Sequence, residues 1–460
     1  FVYGKVVERV FGIDPDRAPP AISNPDGVDY VPLPWWKAFL IQFLNIAGLG
    51  PIFGAIMGIM YGPSAFLWIV FGTIFGGAVH DYMSGMMSVR ANGASLPELV
   101  GKELGVSVKV FMNIFSIGLM VLVGAVFISG PAELLNNMTT GTIGVTWWVV
   151  IIFTYYILAT LLPIDKIIGK IYPVFGLALL IMVVGILIAL YVNNAAVPEF
   201  SDGFANQHPQ KLPIFPMMFI SIACGAVSGF HATQSPLMAR CIQNEKYGRR
   251  VFYGSMVVEG IVALVWAAAA ASFFGSVEGL QEYVGGLAPT ANKPAVVVDV
   301  IAKTWLGPVG GLLALLGVVA APLSTGDTAL RAARLMTAEF LKMNQKPIKN
   351  RLWVAVPIFI ITFILLQVDF DVIWRYFAWW NQTLSVFTLW AITVYLSKRN
   401  KFYGISLIPA LFMTCVTVSY IFLAPEGFGL SPVIAYSVGI GTTIGTFILF
   451  FIRKPKLKME

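Results

Sequence analysis

Long apolar runs separated by short charged clusters dominate the pattern of the chain. Runs of about 20 apolar residues recur from Trp35 to Phe451, and a helix needs roughly 20 such residues to cross a hydrocarbon core. A lipid-exposed backbone must satisfy its own hydrogen bonds, so the runs predict helices. The pattern therefore indicates an all-α polytopic membrane protein with about twelve spans. The predicted spans are 35–61, 63–89, 106–129, 145–163, 172–193, 214–239, 251–275, 308–340, 351–368, 371–397, 402–424 and 431–452.

Composition and charge agree with this class. Hydrophobic residues occupy 58% of the 460 positions and charged residues 12%, against roughly 25% charged in soluble domains. A net charge of +7 would suit nucleic acid, but the basic residues cluster in alternate loops, which indicates membrane topology instead. With a cytoplasmic start, all 30 Lys and Arg residues lie inside except Lys211, Lys293, Lys303 and Arg375. Both ends of the chain are therefore predicted to be cytoplasmic, in the plasma (inner) membrane of a bacterium or archaeon, with lipid and a small solute as partners.

Three predicted spans contain glycine, proline and hydroxyl side chains at mid-depth. The first span has Asn-Ile-Ala-Gly-Leu-Gly-Pro at positions 45–51, the sixth has its cluster at positions 224–236, and the eighth at positions 321–327. Glycine and proline release backbone groups from the helical ladder. Because spans 1 and 6 are five helices apart, their breaks take corresponding positions in two halves of opposite orientation, as in transporters built from inverted repeats.

This pairing predicts a five-plus-five inverted repeat followed by two helices. The predicted divisions are an N-terminal cytoplasmic segment 1–34, a first five-helix repeat 35–193, an external loop 194–213, a second repeat 214–397, and two accessory helices with a basic tail at 398–460.

Several shorter features carry predictions about packing. The glycines of span 2 are expected to let neighbouring helices approach closely. Residues 96–104 read as an amphipathic helix, and 296–305 as a short external helix. In span 10, a group of polar and aromatic side chains is expected either to cover the outer cavity or to face lipid. The glycines are Gly72, Gly76 and Gly77, and the group in the tenth span is Trp379, Trp380, Asn381 and Gln382.

The breaks also predict a carboxylate site. Half-helix N-termini present free N–H groups and a positive dipole end to an anion. Leucine in place of Gly50 is expected to block substrate binding and leave expression intact. The residues expected to line the substrate site are Gln42, Gly48, Leu49, Gly50, Pro51, Ser228, Gly229, His231, Thr233 and Gln234.

Ionisable residues within the spans are the candidates for gating and proton transfer, because each is costly in a bilayer. A structural alternative for two of them, spaced i, i+4, is that they simply pair with each other. Two are sequence neighbours, and only one of these is expected to face the path. His231, beside the span 6 break, is expected to serve substrate or proton. The predicted gating and proton residues are His80, Asp81, Glu259 and the i, i+4 pair Asp327 and Arg331.

Four segments resemble the carbon starvation protein A family. They are residues 26–32, Asp-Gly-Val-Asp-Tyr-Val-Pro, together with 46–51, 77–82 and 222–231. The resemblance implies a secondary transporter that takes up peptides, or pyruvate in some members, during carbon starvation, and neither an enzyme nor a bound cofactor. Members usually have a further helix before the segment resembling 4–16. Longer members have His-His where this chain has Ile-Gln at 41–42, and they differ at 321–327.

A more distant resemblance concerns the fold. Residues 45–51 are similar to the broken first helix of the sodium-coupled neurotransmitter and amino-acid symporters. The resemblance implies a Na⁺ site between spans 1 and 8. The alternatives are that its hydroxyls bond to their own helix, and that coupling uses H⁺ through His231 or Asp81. The implied Na⁺ ligands are the carbonyls of Leu44, Ala47 and Ala321 and the hydroxyls of Ser324 and Thr325.

Other classes of protein fit the sequence less well than an ion-coupled symporter. A passive channel is opposed by the inverted repeat and by the lack of a filter motif. An intramembrane protease using Ser228 and His231 lacks a third catalytic member and an oxyanion motif. The substrate, the coupling ion and the oligomeric state stay open.

Overall fold

A computed structural model of the chain describes residues 2–26, 30–139, 142–161, 165–199, 204–289, 291–344 and 347–457. Residues 27–29 and 200–203, which belong to a family-like segment and to the predicted external loop, lie outside this set. Within the described ranges the structure is helical, with one isolated bridge between Leu33 and Ile242. The helices are α1 Val2–Phe11, α2 Pro20–Ser23, α3 Trp35–Ile46, α4 Gly50–Ile59, α5 Ser64–Phe71, α6 Ala78–Arg90, α7 Leu96–Leu104, α8 Val106–Met138, α9 Val145–Leu161, α10 Asp165–Val192, α11 Phe219–Ser221, α12 Gly229–Ala239, α13 Gly254–Phe273, α14 Val277–Gly285, α15 Lys293–Ala314, α16 Ala321–Phe340, α17 Ile348–Leu365, α18 Phe370–Lys398, α19 Gly404–Leu423 and α20 Pro432–Leu457, with π-helical segments at Gly72–Gly77, Ile214–Met218, Arg249–Tyr253 and Leu315–Ala320.

Many of these helices suit a membrane. In the described part of the chain, eight continuous helical stretches are long and apolar enough to cross one, or up to nine if α3 and α4, bent by 49° at their break, count as one span. The all-helical membrane class is therefore confirmed, and apolar faces such as that of α20 stay exposed. The count of twelve, the five-plus-five repeat, the divisions and the orientation of the termini stay predictions.

The two shorter predicted helices are present. α7 begins with a capping box, in which the Ser95 N–H donates to Glu98 Oε2 at 3.3 Å. Gly105, at a φ of 104°, then turns the chain into α8, a conformation that favours glycine. The external helix forms the first part of α15, and the non-helical Gly307, with φ 58° and ψ −147°, separates it from the span that follows.

Both broken spans lie at the centre of the helix packing. α4 packs against α13, and α12 packs against α6 and α18. α8 lies along α16 and reaches the span 1 break with the Phe127 ring. The neighbours of the breaks are thus helices from both halves of the chain.

Candidate functional site

The two breaks meet inside the protein. The span 1 break is residues 47–49 and the span 6 break is residues 222–228. A Cβ atom on Gly50 would lie 2.3 Å from the Cβ of Cys224, and one on Gly58 would lie 2.2 Å from Ile222. The expectation that Gly50→Leu leaves expression intact is therefore wrong, because Gly50 faces a packed neighbour and a side chain there would collide with it.

The glycines of span 2 pack closely against the other side of the span 6 break. A Cβ on Gly77 would lie 2.2 Å from the carbonyl oxygen of Ala226, and one on Gly76 would lie 2.7 Å from Val227. This confirms their predicted packing role. Beside them, Thr73 Oγ1 donates to the Gly225 carbonyl at 2.9 Å. One carbonyl released by the break is therefore satisfied by a neighbouring span.

Two adjacent amides of α18 hold the two ends of the span 6 break. Asn381 Oδ1 accepts the Phe230 N–H at 2.6 Å and the Ser228 hydroxyl at 3.1 Å. Gln382 Nε2 donates to the Phe219 carbonyl at 2.5 Å. Both amides are fully buried, so they do not face lipid, and a role in covering the outer cavity stays a prediction. Adjacent amides within an apolar helix were the signal in the sequence, because an unpaired amide in lipid is costly.

The neighbouring tryptophans also join helices. Trp379 donates its indole N–H to the Thr417 carbonyl at 2.9 Å, and Trp380 donates to the Phe115 carbonyl at 2.8 Å. These bonds attach α18 to two neighbouring helices, and the roles expected for the two tryptophans stay predictions.

A buried cluster of charged and ionisable side chains lies beyond the break, and we call it the charge cluster. Asp81 Oδ1 lies 2.8 Å from His80 Nδ1, and Asp81 Oδ2 lies 2.8 Å from His231 Nδ1. His231 Nε2 in turn lies 3.3 Å from Glu259 Oε2. All four side chains are fully buried. His80 and Asp81 thus contact each other although they are sequence neighbours, and the expectation that only one of them faces the path stays a prediction.

The hydrogen-bonding capacity of these groups fixes where protons must lie. An ionised carboxylate only accepts, so both histidines donate from Nδ1 to Asp81. His231 Nε2 then faces Glu259 either as a donor in an imidazolium ion or as an acceptor from a protonated carboxyl group. In both cases a proton must lie between His231 and Glu259. Their contact lacks the alignment of a hydrogen bond, so we treat it as an ionic contact.

Further polar groups lie on the span 6 break, on α13 and on α3. Cys224 Sγ lies within interaction range of His231 and Glu259. On α13, one turn before Glu259, the Ser255 hydroxyl reaches the Phe39 carbonyl of α3 at 3.4 Å. Gln42 follows Phe39 by almost one turn, and its fully buried amide has no hydrogen-bond partner among the described residues. α3, which packs against the helix that carries Glu259, thus contains a buried amide without a partner among the described residues.

The other predicted substrate residues have partners within the protein. The Phe127 ring lies against Gly48, where an added Cβ would be 2.9 Å away. The Thr233 hydroxyl donates to the Phe230 carbonyl at 2.6 Å, and Gln234 Nε2 donates to Thr233 at 3.0 Å. Leu49 and Pro51 are buried. The break ends are therefore closed by the protein's own side chains in this conformation.

The remaining predicted gate residues lie elsewhere. Arg331 is 3.4 Å from Asp327 on the same helix, and it donates to the Ala159 carbonyl at 2.9 Å. This is the structural alternative named for the pair. The ionic contacts of Asp81 and Glu259 are with histidines instead. An exchange of partners among the four charges stays a prediction.

Two of the implied sodium ligands, Leu44 of α3 and Ala321 of α16, lie near each other, and the complete site stays a prediction. Ala321 packs with Leu44 in a small buried cluster. Ser324 and Thr325 both donate to the Ala321 carbonyl, at 2.7 and 3.2 Å. Ala47 lies in the span 1 break. The hydroxyls thus bond to their own helix, and no group of three or more His, Cys, Asp and Glu residues in the described ranges has the geometry of a metal site.

Comparisons of the sequence agree on one family. The family model for carbon starvation protein CstA matches residues 1–147 and 132–302. An uncharacterized membrane protein of Haemophilus influenzae is 46% identical, over 62% of this chain and 90% of that protein. The pyruvate/proton symporter BtsT of Escherichia coli is 29% identical, over 58% of this chain and 46% of that protein. The peptide transporter CstA of Escherichia coli is 29% identical, over 56% and 46%. The chain thus spans about half the length of these two transporters.

Solved structures of transporters show a similar fold. The manganese transporter of Eremococcus coleocola has a TM-score of 0.56 at 14% identity, covering 95% of this chain and 99% of that one. A Na⁺-coupled sialic acid symporter has a TM-score of 0.56 at 14% identity, covering 99% and 96%. At this identity the likeness concerns the fold. The functionally named relatives and these structural neighbours are transporters, and none is an enzyme.

Proposed function

Because the chain belongs to the carbon starvation protein CstA family, we propose that it is a secondary active transporter that imports small carboxylate-bearing nutrients, such as peptides or pyruvate, together with protons. The observation that carries this proposal is the buried charge cluster beside the span 6 break. Asp81, His231 and Glu259 come from α6, α12 and α13, so the protonation of one group acts on three helices. Relatives named as a peptide transporter and a pyruvate/proton symporter support the substrate class.

The net charge of the cluster links proton release to access of water. With His80 counted as neutral and one exchangeable proton on the His231–Glu259 pair, the two carboxylates and two imidazoles carry one net negative charge. Loss of that proton leaves two net negative charges in a fully buried site, and an uncompensated buried ion costs on the order of several kcal/mol. The cluster should therefore release its proton only when water reaches it. Release of the proton and opening of the protein toward one side of the membrane are then coupled.

The contact between His231 and Glu259 supplies the mechanical link. When a proton lies between them, the contact joins α12 to α13. Without that proton a ring nitrogen lone pair faces a carboxylate, and two acceptors 3.3 Å apart repel each other. The contact with Asp81 persists, because His231 still donates from Nδ1. Deprotonation should therefore separate α12 from α13 and leave α12 attached to α6.

The substrate carboxylate belongs, in this proposal, at the N-terminus of α12. The Phe230 N–H there is bonded to Asn381 in the closed conformation. An entering carboxylate would replace the amide oxygen of Asn381 and gain a charge-assisted hydrogen bond, which is roughly twice as strong as a neutral one. The unpartnered amide of Gln42 is a second candidate contact. Binding of the substrate carboxylate would therefore favour the conformation in which the N-terminus of α12 is open.

Sodium is the second candidate coupling ion. The observation in its favour is that Leu44 and the Ala321 carbonyl lie together with two hydroxyls. A bound ion would require Ser324 and Thr325 to redirect their oxygens. A hard cation with oxygen ligands suits such a site. Proton coupling is preferred because the charge cluster needs no such rearrangement.

Transport in proteoliposomes tests the proposal. A counterflow screen with pyruvate, other short carboxylates, and di- and tripeptides first identifies the substrate. A pH gradient should then drive uphill accumulation that an ionophore abolishes, which a passive channel cannot produce. Accumulation that ignores the pH gradient and stops when choline replaces sodium would favour the sodium site.

Substitution of Glu259 tests the charge cluster itself. Glu259→Gln removes the exchangeable proton while keeping the shape of the side chain, so it should abolish pH-driven accumulation and retain counterflow exchange. Glu282→Gln, at an exposed position of α14, is the matched control and should behave as wild type. Normal pH-driven accumulation by Glu259→Gln would rule out coupling through this residue.

A further inference from the structure

A cavity of about 440 Å³ opens where α7 meets α8, α18 and α20. It lies at the ends of α18 and α20 that carry Lys398 and Arg453. One part of its wall is apolar and the other part is basic. The apolar part includes Val108, Phe387, Trp390, Val394, Leu449 and Phe450, and the basic rim is Lys102, Lys398 and Arg453. We propose that this cavity binds an anionic phospholipid, with the phosphate at the basic rim and an acyl chain along the apolar wall.

The walls of the cavity are fixed by contacts within the protein. Trp390 donates its indole N–H to Thr414 Oγ1 at 3.1 Å, and its ring lies 6.0 Å from that of Phe450. Buried Glu103 holds Lys398 at the rim, with Nζ to Oε2 at 3.3 Å. The cavity is therefore preformed, so an occupant pays little ordering cost in its walls.

The rim has more positive than negative charge. The carboxylate of Glu103 is shared between Lys398 and Arg399, the latter at 3.9 Å. Lys102 and Arg453 are exposed, and neither forms an ion pair with another described residue. Two cations thus face the cavity without a carboxylate, which suits one phosphodiester anion. Basic pockets between membrane helices on the cytoplasmic side, where these residues are predicted to lie, recognise anionic headgroups.

The apolar part of the cavity distinguishes a lipid from a free anion. Leu449 is 47% exposed, and the adjoining face of α20 exposes Ile448 and Ile452 at 50% and 65%. This face has no covering element among the described residues and is suited to the hydrocarbon of the bilayer. A small phosphate compound would leave the apolar wall unused. A phospholipid would contact both parts, because its charged headgroup can bind at the basic rim while its acyl chain lies along the apolar wall.

Lipid-dependent stability of the purified full chain tests the proposal. Phosphatidylglycerol should raise the melting temperature in detergent more than phosphatidylcholine with the same acyl chains. Each basic residue near a membrane surface changes the affinity about fivefold, so Lys102→Gln with Arg453→Gln should weaken the preference for phosphatidylglycerol roughly thirtyfold. Since both side chains are exposed, the melting temperature in phosphatidylcholine should not change.

A charge-matched variant and a chain-free probe complete the experiment. Lys5→Gln with Lys349→Gln removes the same charge at exposed positions elsewhere and should keep the preference. Glycerol phosphate, which has the anion without the chains, should not stabilise the protein. The proposal is overturned if the control loses the preference equally, if glycerol phosphate stabilises as much as the lipid, or if the Lys102 and Arg453 variant keeps the wild-type preference.

Discussion

Replacing Asn381 by leucine tests how the span 6 break is held. The substitution keeps a side chain of similar size in α18 and removes both polar atoms of the amide. The Phe230 N–H, bonded at 2.6 Å, and the Ser228 hydroxyl, at 3.1 Å, then lose their common acceptor. Cys224 Sγ also loses a donor at 3.3 Å. Because the site is buried, water cannot replace these partners without opening the protein.

The size of the effect follows from these contacts. The unsatisfied buried Phe230 N–H costs about 1–3 kcal/mol, and the hydrogen bond lost from the Ser228 hydroxyl costs about 0.5–1.5 kcal/mol. The Ser228 hydroxyl can turn to another acceptor, so we expect a total loss of about 2–4 kcal/mol in the free energy of unfolding. For a chain of 460 residues that corresponds to a fall of roughly 2–4 °C in the melting temperature.

A thermal-shift assay in detergent measures this effect, with Ser385→Ala as the control on the same helix. The Ser385 hydroxyl donates only to the Gln382 carbonyl of its own helix, at 2.7 Å, so its removal should cost less than about 1 kcal/mol. If Asn381→Leu has the same melting temperature as Ser385→Ala, Asn381 does not stabilise the break. Loss of counterflow with an unchanged melting temperature would assign Asn381 to the substrate alone.

Three further changes have defined outcomes. Asp81→Asn should lower stability and abolish pH-driven uptake in proteoliposomes, because a neutral amide oxygen is a weaker acceptor for two imidazole N–H groups. Gly77→Ala should reduce the yield of folded protein, since its Cβ would lie 2.2 Å from a carbonyl oxygen, whereas Gly441→Ala, with nothing within 4 Å, should not. Burial lowers the pKa of His208 to about 4. As the pH falls below about 6.5, the imidazole of the unfolded chain therefore becomes protonated while that of the folded chain stays neutral. Protonation then favours the unfolded state, so the melting temperature should fall. This fall should be smaller in His208→Gln.

The sequence predicts those features that depend on local patterns. Apolar runs identify most helices, because a backbone in lipid can form all of its hydrogen bonds internally as a helix. Glycine and proline mark both breaks, and the turn before α7 carries its capping residues. Each of these signals comes from residues a few positions apart. Local patterns therefore give the elements and the place of the site along the chain.

Partners that are distant in sequence could not be predicted in this way. Asn381 bonds to Ser228 across 153 positions, and Asp81 to His231 across 150. Nothing near Asn381 indicates which buried group it serves. Gly50 illustrates a related difficulty, because a glycine that admits a substrate and a glycine that admits a neighbouring helix have the same sequence signature. Only the Cys224 side chain opposite it identifies the second case.

The contacts of α12 predict which helices should move together. Asp81 bonds to His231 at 2.8 Å, and Arg240 donates to the Gly93 carbonyl at 2.9 and 3.0 Å, so the α6 side holds α12 at two levels. The charge cluster attaches α12 to α13 through one contact that depends on a proton.

A change in protonation should therefore move α12 and α6 as one unit relative to α13. Spin labels at exposed Leu237 of α12 and Ile261 of α13 should show a distance that changes between acidic and alkaline pH. A label pair at Leu237 and exposed Phe75, in the segment continuous with α6, should keep its distance. Glu259→Gln should remove the pH dependence of the first pair, because it removes the titrating partner. If the distance to Phe75 changes and the distance to Ile261 does not, α12 is attached to α13, and the proposed link between proton release and opening is wrong.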